Sequence, residues 1–314
     1  MSDFGHIPVL FRETIDSLEI RPDGVYADGT AGGGGHSRAI GERLSGKGTL
    51  ICTDRDIDAV EECRKRLSGL ECDCTVYHTT FTSLPDILRQ RGQKLDGLLL
   101  DLGVSSHQLD EAERGFSYMQ QAPLDMRMDR DGALTAADIV NTYPEKALAD
   151  IFFEYGEERY SRAVASAIVK RRQSSPILMT LDLVDVIKSA MPVKALREPQ
   201  HPAKRVFQAL RIAVNDELSQ VSDLLRDIMP YMAPGGIISV ITFHSLEDRI
   251  VKTAFATAEN PCTCPPSFPV CVCGKKSRGR VITRKPIVAG QEELELNPRA
   301  RSAKLRVFRV ADDN

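Results

Sequence analysis

A run of glycines between a predicted strand and a predicted helix constrains the fold of this chain more than any other feature. Residues 24–28 form a short β-prone segment that ends in Asp28, and five of the following seven residues are glycine. A helical stretch follows over residues 37–44. Glycine permits positive φ angles and lets a ligand approach bare backbone. The position of the run therefore favours a ligand-binding turn of a βαβ unit over a merely flexible loop.

Strands and helices alternate along the first hundred residues. Further strands are predicted at 49–54, 74–78 and 95–104, with helices at 57–67 and 84–91. Alternation at this spacing is typical of βαβ units and a parallel sheet. The predicted fold class is therefore α/β, with a Rossmann-like, mostly parallel sheet.

Strand-like runs vanish between residues 108 and 205. Helical stretches dominate there, at 144–154, 161–172 and 181–189, separated by Gly and Pro. The segment is predicted to be an inserted all-helical domain, with an expected role in substrate recognition.

Strand–helix alternation returns after the insertion. A long amphipathic helix is predicted over 206–229, a turn at 234–236 and a buried strand over 237–243. Ser245 and Asp248 have capping-box spacing, so a helix is predicted to begin at Ser245. The predicted organisation is a core in two parts, residues 1–107 and 206–314, around a helical insertion, residues 108–205.

The composition is that of a globular protein. Of the 314 residues, 42% are hydrophobic and 27% are charged, which argues against a disordered or fibrous chain. The net charge of −3 excludes a uniformly basic nucleic-acid coat but leaves room for a local basic face. The apolar stretches are too short to span a bilayer, and the first residues lack a secretory signal pattern. A cytoplasmic protein is predicted.

Two acids end predicted strands near the glycine run. Asp54 lies twenty residues after Gly34, where an acid can accept hydrogen bonds from ribose hydroxyls; the alternative is a cap on the helix that begins near Ile57. Asp101 ends the fourth strand, beside the crevice where doubly wound sheets bind ligands. The pattern fits a dinucleotide or S-adenosylmethionine (SAM). The absence of a clean G-x-G-x-x-G favours SAM, and an NAD-type oxidoreductase is the competing enzyme class.

Specific motifs run from one end of the chain to the other. They are residues 6–10 (HIPVL), 28–37 (DGTAGGGGHS), 101–106 (DLGVSS), 114–117 (RGFS), 124–128 (LDMRM), 155–159 (YGEER), 207–211 (FQALR), 243–249 (FHSLEDR) and 297–302 (NPRARS), with Gln108 and Asn215. Together they resemble the bacterial small-subunit rRNA (cytosine-N4)-methyltransferases, the RsmH or MraW family.

The resemblance implies a class I SAM-dependent methyltransferase core interrupted by a helical domain. It also implies methylation of the N4 amine of a cytidine in the decoding region of 16S rRNA, within an assembled or nearly assembled small ribosomal subunit. A homodimer is left open. The implied SAM contacts fall on Gly34, Gly35, His36, Asp54, Phe81, Asp101 and Gln108, although Phe81 could equally be a core aromatic.

The amine of cytosine is a poor nucleophile because its lone pair is delocalised into the ring, so some group must accept its proton. Asp101 is the candidate catalytic residue, and Ser105, Ser106 and His244 are second choices. A hydrolytic triad at His244 is rejected, because capping accounts for Ser245 and no nucleophile elbow is present. A non-catalytic RNA-binding or assembly factor with the same fold is the competing interpretation outside the enzymes.

A basic segment near the C-terminus is the candidate RNA contact. Grouped cations in a chain of negative net charge favour phosphate binding over an ordinary solvated surface. The predicted RNA-binding residues are Lys275, Lys276, Arg278, Arg280, Arg284 and Lys285.

A cluster of cysteines precedes this basic segment. Cys262, Cys264, Cys271 and Cys273 fall within twelve residues. Four thiols at such spacing can form a zinc site, yet C-x-C is less common than C-x2-C, so zinc and structural thiols stay open as alternatives, with a redox role as a third. The resemblance assigns the cluster no part in the reaction. A bound metal would stiffen the basic hairpin expected at about 260–285.

Overall fold

The computed structural model describes residues 8–265, 270 and 272–312. Among these residues the chain forms two compact units. We call residues 104–217 the helical unit, and residues 8–103 with 218–312 the αβ unit. The expected insertion, 108–205, lies within the helical unit.

One mostly parallel sheet organises the αβ unit. Its strands lie in the order β3-β2-β1-β4-β5-β7-β6. Strands β1 to β5 pair in parallel, whereas β7 is antiparallel to β5 and β6. This topology confirms the predicted α/β fold. The strands are β1 (Val25–Asp28), β2 (Thr49–Asp54), β3 (Asp73–His78), β4 (Leu95–Asp101), β5 (Met232–Thr242), β6 (Gly279–Val281) and β7 (Lys304–Val310).

Helices are numbered along the whole chain. Those of the αβ unit are α1 (Phe11–Ser17), α2 (Gly35–Gly41), α3 (Ile57–Leu67), α4 (Leu84–Arg91), α12 (Glu217–Asp227, which begins on the last residue of the helical unit), α13 (Ser245–Glu259) and α14 (Gln291–Leu296). Those of the helical unit are α5 (Ser106–Asp110), α6 (Ala136–Thr142), α7 (Glu145–Glu154), α8 (Ser161–Arg172), α9 (Thr180–Ala190), α10 (Val193–Leu196) and α11 (Lys204–Asn215). Within the described residues, no helix has both the length and the apolar character needed to cross a membrane.

The sheet of the αβ unit buries both of its faces. Leu98 and Leu100 belong to one apolar cluster, and Leu99 and Ile241 to another. Successive strand residues point to opposite faces, so the two clusters lie on the two sides of the sheet. Burial on both sides explains why the central strands are continuous apolar runs rather than alternating ones.

The helical unit has its own apolar core. Phe152, Ile168 and Ile187 are fully buried in it, and Phe207 and Leu210 of α11 join the same cluster. Because α11 packs there, the helical unit extends to residue 217, and the boundary that the sequence suggested after residue 205 falls inside α11.

A loop of the helical unit is held by buried polar contacts. The Asn215 amide donates to the carbonyl of Met126 at 2.8 Å and accepts from the backbone N–H of Met128 at 2.8 Å. Met126 has a φ of 65°, a left-handed conformation that costs free energy unless neighbours hold it. Beside it, Arg127 donates to both carboxylate oxygens of Asp125, at 2.9 and 2.7 Å.

The predicted single helix over 206–229 is wrong. The structure has two helices, α11 and α12, separated by Asp216, which adopts a left-handed conformation with a φ of 49°. Apolar periodicity continues on both sides of the break, so the pattern alone does not reveal it. The aspartate tolerates this conformation better than most residues other than glycine.

Helix α13 begins at Ser245 as predicted, but its capping residue differs from the prediction. His244, not Ser245, is the N-cap: its ring accepts from the backbone N–H of Glu247, whose carboxylate accepts from the N–H of His244 at 3.2 Å. Ser245 is the first helical residue. Serine is a favoured N-cap and histidine an uncommon one, so the sequence pattern pointed to Ser245.

Two features near the C-terminal half of the sheet were not expected. Residues 234–236, predicted as a turn, belong to the first part of β5, which is irregular in its pairing with β4. The basic segment does not form a hairpin of its own among the described residues, because its strand β6 pairs with the distant β7.

Candidate active site

The glycine run forms a backbone-lined turn at the carboxyl end of β1. Gly34 is the N-cap of α2 with a φ of 80°, and Gly32 has a φ of 50°. A Cβ on Gly29 would lie 2.6 Å from Leu100, and one on Gly35 would lie 2.6 Å from Pro8. Side chains are therefore excluded on both sides of the turn, by conformation at two positions and by space at two others.

Asp28 holds this turn through hydrogen bonds. It is 1% exposed, and its carboxylate accepts from the Ser37 hydroxyl at 2.6 Å and from the Thr30 N–H at 3.2 Å. Burial raises the pKa of Asp28 to about 6, although both hydrogen bonds act to lower it. Its oxygens bind the turn and α2, so Asp28 is a positioning residue.

Asp54 holds the middle of the turn from the neighbouring strand. One carboxylate oxygen accepts from the Gly32 N–H at 2.8 Å, and the other from the Asp56 N–H at 2.9 Å. Burial raises the pKa of Asp54 above its ordinary value. The helix cap that was weighed against a ribose role belongs instead to Asp56, whose side chain accepts from the Asp58 N–H at 3.2 Å. Each carboxylate oxygen has two lone pairs, so Asp54 keeps acceptor capacity for a ligand.

Asp101 and His36 meet at the carboxyl ends of β1 and β4. The His36 Nδ1 lies 3.6 Å from an Asp101 carboxylate oxygen. The other carboxylate oxygen of Asp101 and the Nε2 of His36 are buried and have no hydrogen-bond partner among the described residues. The backbone N–H of Asp101 donates to the Thr30 hydroxyl at 2.6 Å, which fixes the end of β4 against the turn.

Burial favours the uncharged forms of Asp101 and His36. Burial raises the pKa of Asp101 to about 8, and the nearby carboxylates of Asp28 and Glu247 add to the shift. Burial lowers the pKa of His36 to about 4. Both shifts oppose an ion pair between the two side chains, and each side chain leaves one polar atom without a partner among the residues that the structure describes. Buried polar atoms of this kind are costly and are a common mark of ligand sites.

Glu247 brings a further buried acid to the same edge of the sheet. It is 1% exposed, and its carboxylate accepts from the N–H of Phe243 at 2.8 Å, directly after β5. The His244 Nε2 lies 3.1 Å from a Glu247 oxygen. The Glu247 carboxylate accepts hydrogen bonds at the start of α13. Its role at the site is therefore to add negative charge near Asp101, not to bind a ligand.

The structure brings together only part of the predicted site. Gly34, Gly35, His36, Asp54 and Asp101 surround the turn in the αβ unit. Phe81 is 6% exposed and packs in the core, with its Cβ 2.9 Å from the place a Cβ on Gly29 would take. The structure thus supports Phe81 as a wall of the turn and as a core aromatic.

Gln108 belongs to the helical unit and has a local structural role. Its N–H donates to the Ser105 hydroxyl at 3.1 Å, and its side-chain oxygen accepts from the Ser105 N–H at 3.0 Å. The two residues form the capping box of α5, of which Ser106 is the first residue. The S-x-x-Q spacing that signals this box was available in the sequence.

The predicted RNA-binding residues lie on the surface of the αβ unit. All six are exposed, and Arg284 pairs with Glu259 at 2.7 Å. Of the cations that follow, Arg306 is buried against Asp248 at 2.6 Å. The exposed lysines are therefore the better candidates for phosphate contact.

Sequence reasoning missed the contact between His36 and Asp101 as a geometric unit. Both residues lie in separate motifs, and their meeting depends on β1 pairing beside β4. It also missed Thr30, whose hydroxyl accepts from the Asp101 N–H. Glu247, whose carboxylate contributes to the raised pKa of Asp101, was missed as well. An acid at the end of a predicted central strand was the available signal.

Comparison with known proteins places the chain in a well-defined group. The MraW methylase family model matches residues 3–311. The ribosomal RNA small subunit methyltransferase H of Heliobacterium mobile is 55% identical over 307 residues, covering 97% of this chain and 98% of the relative. The ribosomal RNA small subunit methyltransferase H 2 of Agathobacter rectalis is 52% identical over 312 residues, covering 99% of each. The corresponding protein of Clostridium botulinum strain Loch Maree is 52% identical over 308 residues, covering 98% of this chain and 99% of the relative.

Proposed function

The chain belongs to the MraW methylase family, and from that premise we propose that it transfers a methyl group from SAM to the N4 amine of a cytidine in small-subunit ribosomal RNA. Curated relatives named ribosomal RNA small subunit methyltransferase H match almost the whole chain, which supports the rRNA substrate. The NAD-type oxidoreductase and the non-catalytic assembly factor are not favoured by these relatives.

The residues at the turn fit SAM. SAM carries an amino-acid end, ribose hydroxyls and a positive sulfonium. The turn excludes side chains by backbone conformation at Gly32 and Gly34 and by lack of space at Gly29 and Gly35, which leaves its backbone open to a ligand. Asp54 retains acceptor capacity for hydroxyls, and Asp101 has a buried carboxylate oxygen without a partner among the described residues. When bound, SAM supplies an electrophilic methyl carbon.

Asp101 carries the proposal. A general base works best with a pKa near the operating pH, and the pKa of Asp101 is raised to about 8. The positive sulfonium that SAM carries would favour the ionised carboxylate, which is the form that can accept a proton. As the N4–carbon bond forms, the amine nitrogen becomes positive and must lose a proton. The unpartnered Asp101 oxygen is the proposed acceptor of that proton, or of the hydrogen bond that precedes its transfer.

His36 is a positioning residue in this proposal. Its ring lies 3.6 Å from Asp101 and stacks on Phe11 at a centroid distance of 5.7 Å. Burial lowers the pKa of His36 to about 4, so the ring brings no positive charge to Asp101 and does not oppose the raised pKa of that acid.

The test is mass spectrometry of rRNA nucleosides. Small subunits from a strain that lacks the modification are incubated with the purified protein and SAM, with naked 16S rRNA as a second substrate. We expect N4-methylcytidine to appear in the subunit sample. If the protein binds SAM but methylates no rRNA in either sample, the assembly-factor interpretation replaces ours.

We also propose that the basic segment contacts rRNA phosphates. Replacing Lys275, Lys276 and Lys285 with Gln removes three exposed charges. In a plot of the logarithm of the RNA-binding constant against the logarithm of the salt concentration, the slope should become shallower by roughly two to three. The matched control replaces three exposed lysines elsewhere in the αβ unit: Lys47, Lys65 and Lys94. An equal change of slope in both triple variants would contradict a specific role for the segment.

The substrate-recognition role expected for the helical unit, the cytoplasmic location and the homodimer stay predictions.

A further inference from the structure

Three thiols converge in the loop between α13 and β6. The sulfur atoms of Cys262, Cys264 and Cys273 all lie within 4.8 Å of one another. The fourth cysteine of the sequence cluster, Cys271, lies outside the described residues, and the site argued below does not use it.

The sulfur spacing matches metal coordination. The Sγ of Cys273 lies 3.9 Å from the Sγ of Cys262. Two thiolates on one tetrahedral zinc ion, each at about 2.3 Å, are separated by about 3.8 Å. The sulfurs of a disulfide would be about 2.05 Å apart. The distance fits two thiolates on a shared metal ion as well as a thiol–thiol hydrogen bond, and it is too long for a covalent bond.

A backbone donor points at the third sulfur. The N–H of Val272 lies 3.3 Å from the Sγ of Cys264, within N–H···S hydrogen-bond distance. Such a bond stabilises the negative charge of a thiolate, as the outer contacts of metal ligands commonly do. The C-x-C spacing at 262–264 places two sulfurs on the first segment of the loop, and Cys273 supplies the third from the segment that returns to β6.

The loop has no core of its own. None of its described residues, 260–265, 270 and 272–278, is buried, and Val270 and Val272 are 70% and 72% exposed. Its ends are nevertheless tied together, because the Arg278 N–H donates to the Ala258 carbonyl at 2.8 Å. A segment that buries so little apolar surface commonly needs a metal or a disulfide to order it.

We propose that Cys262, Cys264 and Cys273 bind one zinc ion as thiolates, with the fourth coordination position left to a further ligand. The three thiols lose their protons on binding. The ion cross-links the two segments of the loop and so orders the chain that leads directly into Lys275 and Lys276. The site stands independently of the methyl-transfer proposal, since none of its residues lies at the glycine turn.

Metal content of the full-length protein tests the site. The protein is stripped with a chelator under reducing conditions, reconstituted with zinc, desalted, and analysed by inductively coupled plasma mass spectrometry. We expect one zinc ion per chain in wild type, and loss of that ion in the C262S/C273S double variant. C72S, which alters a cysteine of the αβ unit outside the cluster, is the matched control and should keep the ion.

Cobalt substitution reports on the ligands directly. Cobalt bound to the stripped protein should give a sulfur-to-metal charge-transfer band that weakens in C264S and disappears in C262S/C273S, while circular dichroism confirms that each variant is folded. Wild type that binds no zinc after reconstitution overturns the proposal, and so does a C262S/C273S variant with undiminished zinc. Should the double variant not fold, an unaltered cobalt spectrum in folded C264S overturns it equally.

Discussion

Two buried polar networks, one in each unit, differ in how completely they satisfy themselves. In the helical unit, Asn215 bonds the backbone of Met126 and Met128, and Arg127 bonds both oxygens of Asp125. In the αβ unit, Asp101 leaves a buried oxygen without a partner among the described residues. The first arrangement stabilises a loop. The second retains an uncompensated group where a ligand is expected to bind.

The difference shows why motif residues need not share a role. Both networks contain residues of the family motifs, yet the carboxylate of Asp125 has its pKa lowered by the Arg127 guanidinium, despite partial burial, whereas the pKa of Asp101 is raised. A paired acid contributes to the fold, whereas an acid with a buried, unpartnered oxygen opposes folding and marks a candidate ligand site. Variants of the network in the helical unit should therefore lower stability, and variants of Asp101 should lower activity.

Asp101→Asn gives the largest expected effect. It removes the proposed proton acceptor while keeping the shape of the side chain. We expect the methyl-transfer rate at saturating SAM to fall roughly 10²- to 10⁴-fold, the usual range for a general base. The measurement is single-turnover transfer to small subunits. Asp96→Asn, on the same strand β4 but at its other end, should keep the rate; a loss below tenfold in Asp101→Asn would remove Asp101 from the chemistry.

Asn215→Ala should act on stability instead. It leaves the Met126 carbonyl and the Met128 N–H without their partner, and each unsatisfied buried group costs about 1–3 kcal/mol. We expect the free energy of unfolding to fall by about 2–4 kcal/mol in urea titrations. Asn260→Ala, at an exposed asparagine, is the control and should change it by less than about 0.5 kcal/mol. A destabilisation no larger than that of the control would show that the network is not what holds this loop.

Asp54→Ala should weaken cofactor binding. Lost charge-assisted hydrogen bonds are worth about 1.5–3 kcal/mol, or a roughly 10- to 150-fold higher Kd for SAM by isothermal titration calorimetry. Asp56→Ala is the matched control, since it removes the cap of α3 and should lower stability with little change in SAM affinity. Equal affinities for the two variants would contradict a ligand-binding role for Asp54.

The pH dependence of stability offers the subtlest comparison. With its pKa raised to about 8, folded Asp101 keeps a proton that the unfolded chain releases above about pH 4. The contribution of Asp101 to the free energy of unfolding therefore decreases as the pH rises from about 4 to about 8. Asp101→Asn cannot titrate, so its stability relative to wild type should increase from about pH 5 to about pH 8. A difference that stays constant with pH would mean that Asp101 is ionised in the folded protein.

Local patterns predicted the elements that depend on local sequence. Strand β2 and helices α3, α4 and α8 have the predicted bounds, because periodicity and end signals agree there. Strand β6 was not predicted, since three residues carry no periodicity and its pairing with β7 is distant in sequence. The break at Asp216 was missed because it interrupts the backbone without interrupting the apolar pattern.

The same distinction holds for the site. The glycine turn and Asp54 could be placed from strand ends and spacing alone. The pKa of Asp101 could not, because it depends on Asp28, Glu247 and His36, which approach only when β1, β4 and β5 lie side by side. Phe81 and Gln108 were assigned ligand roles by resemblance, and the structure gives each a packing or capping role that residue type alone does not reveal.

The histidine that caps α13 ties the edge of the sheet to the helix. The His244 ring accepts from the Glu247 N–H at 3.4 Å, and the Glu247 carboxylate accepts from the backbone N–H groups of His244 and Phe243. One pair of side chains therefore satisfies backbone donors on both sides of the junction between β5 and α13. The direction in which the chain leaves β5 is thus fixed beside Asp101, and a substitution of either side chain would loosen both elements together.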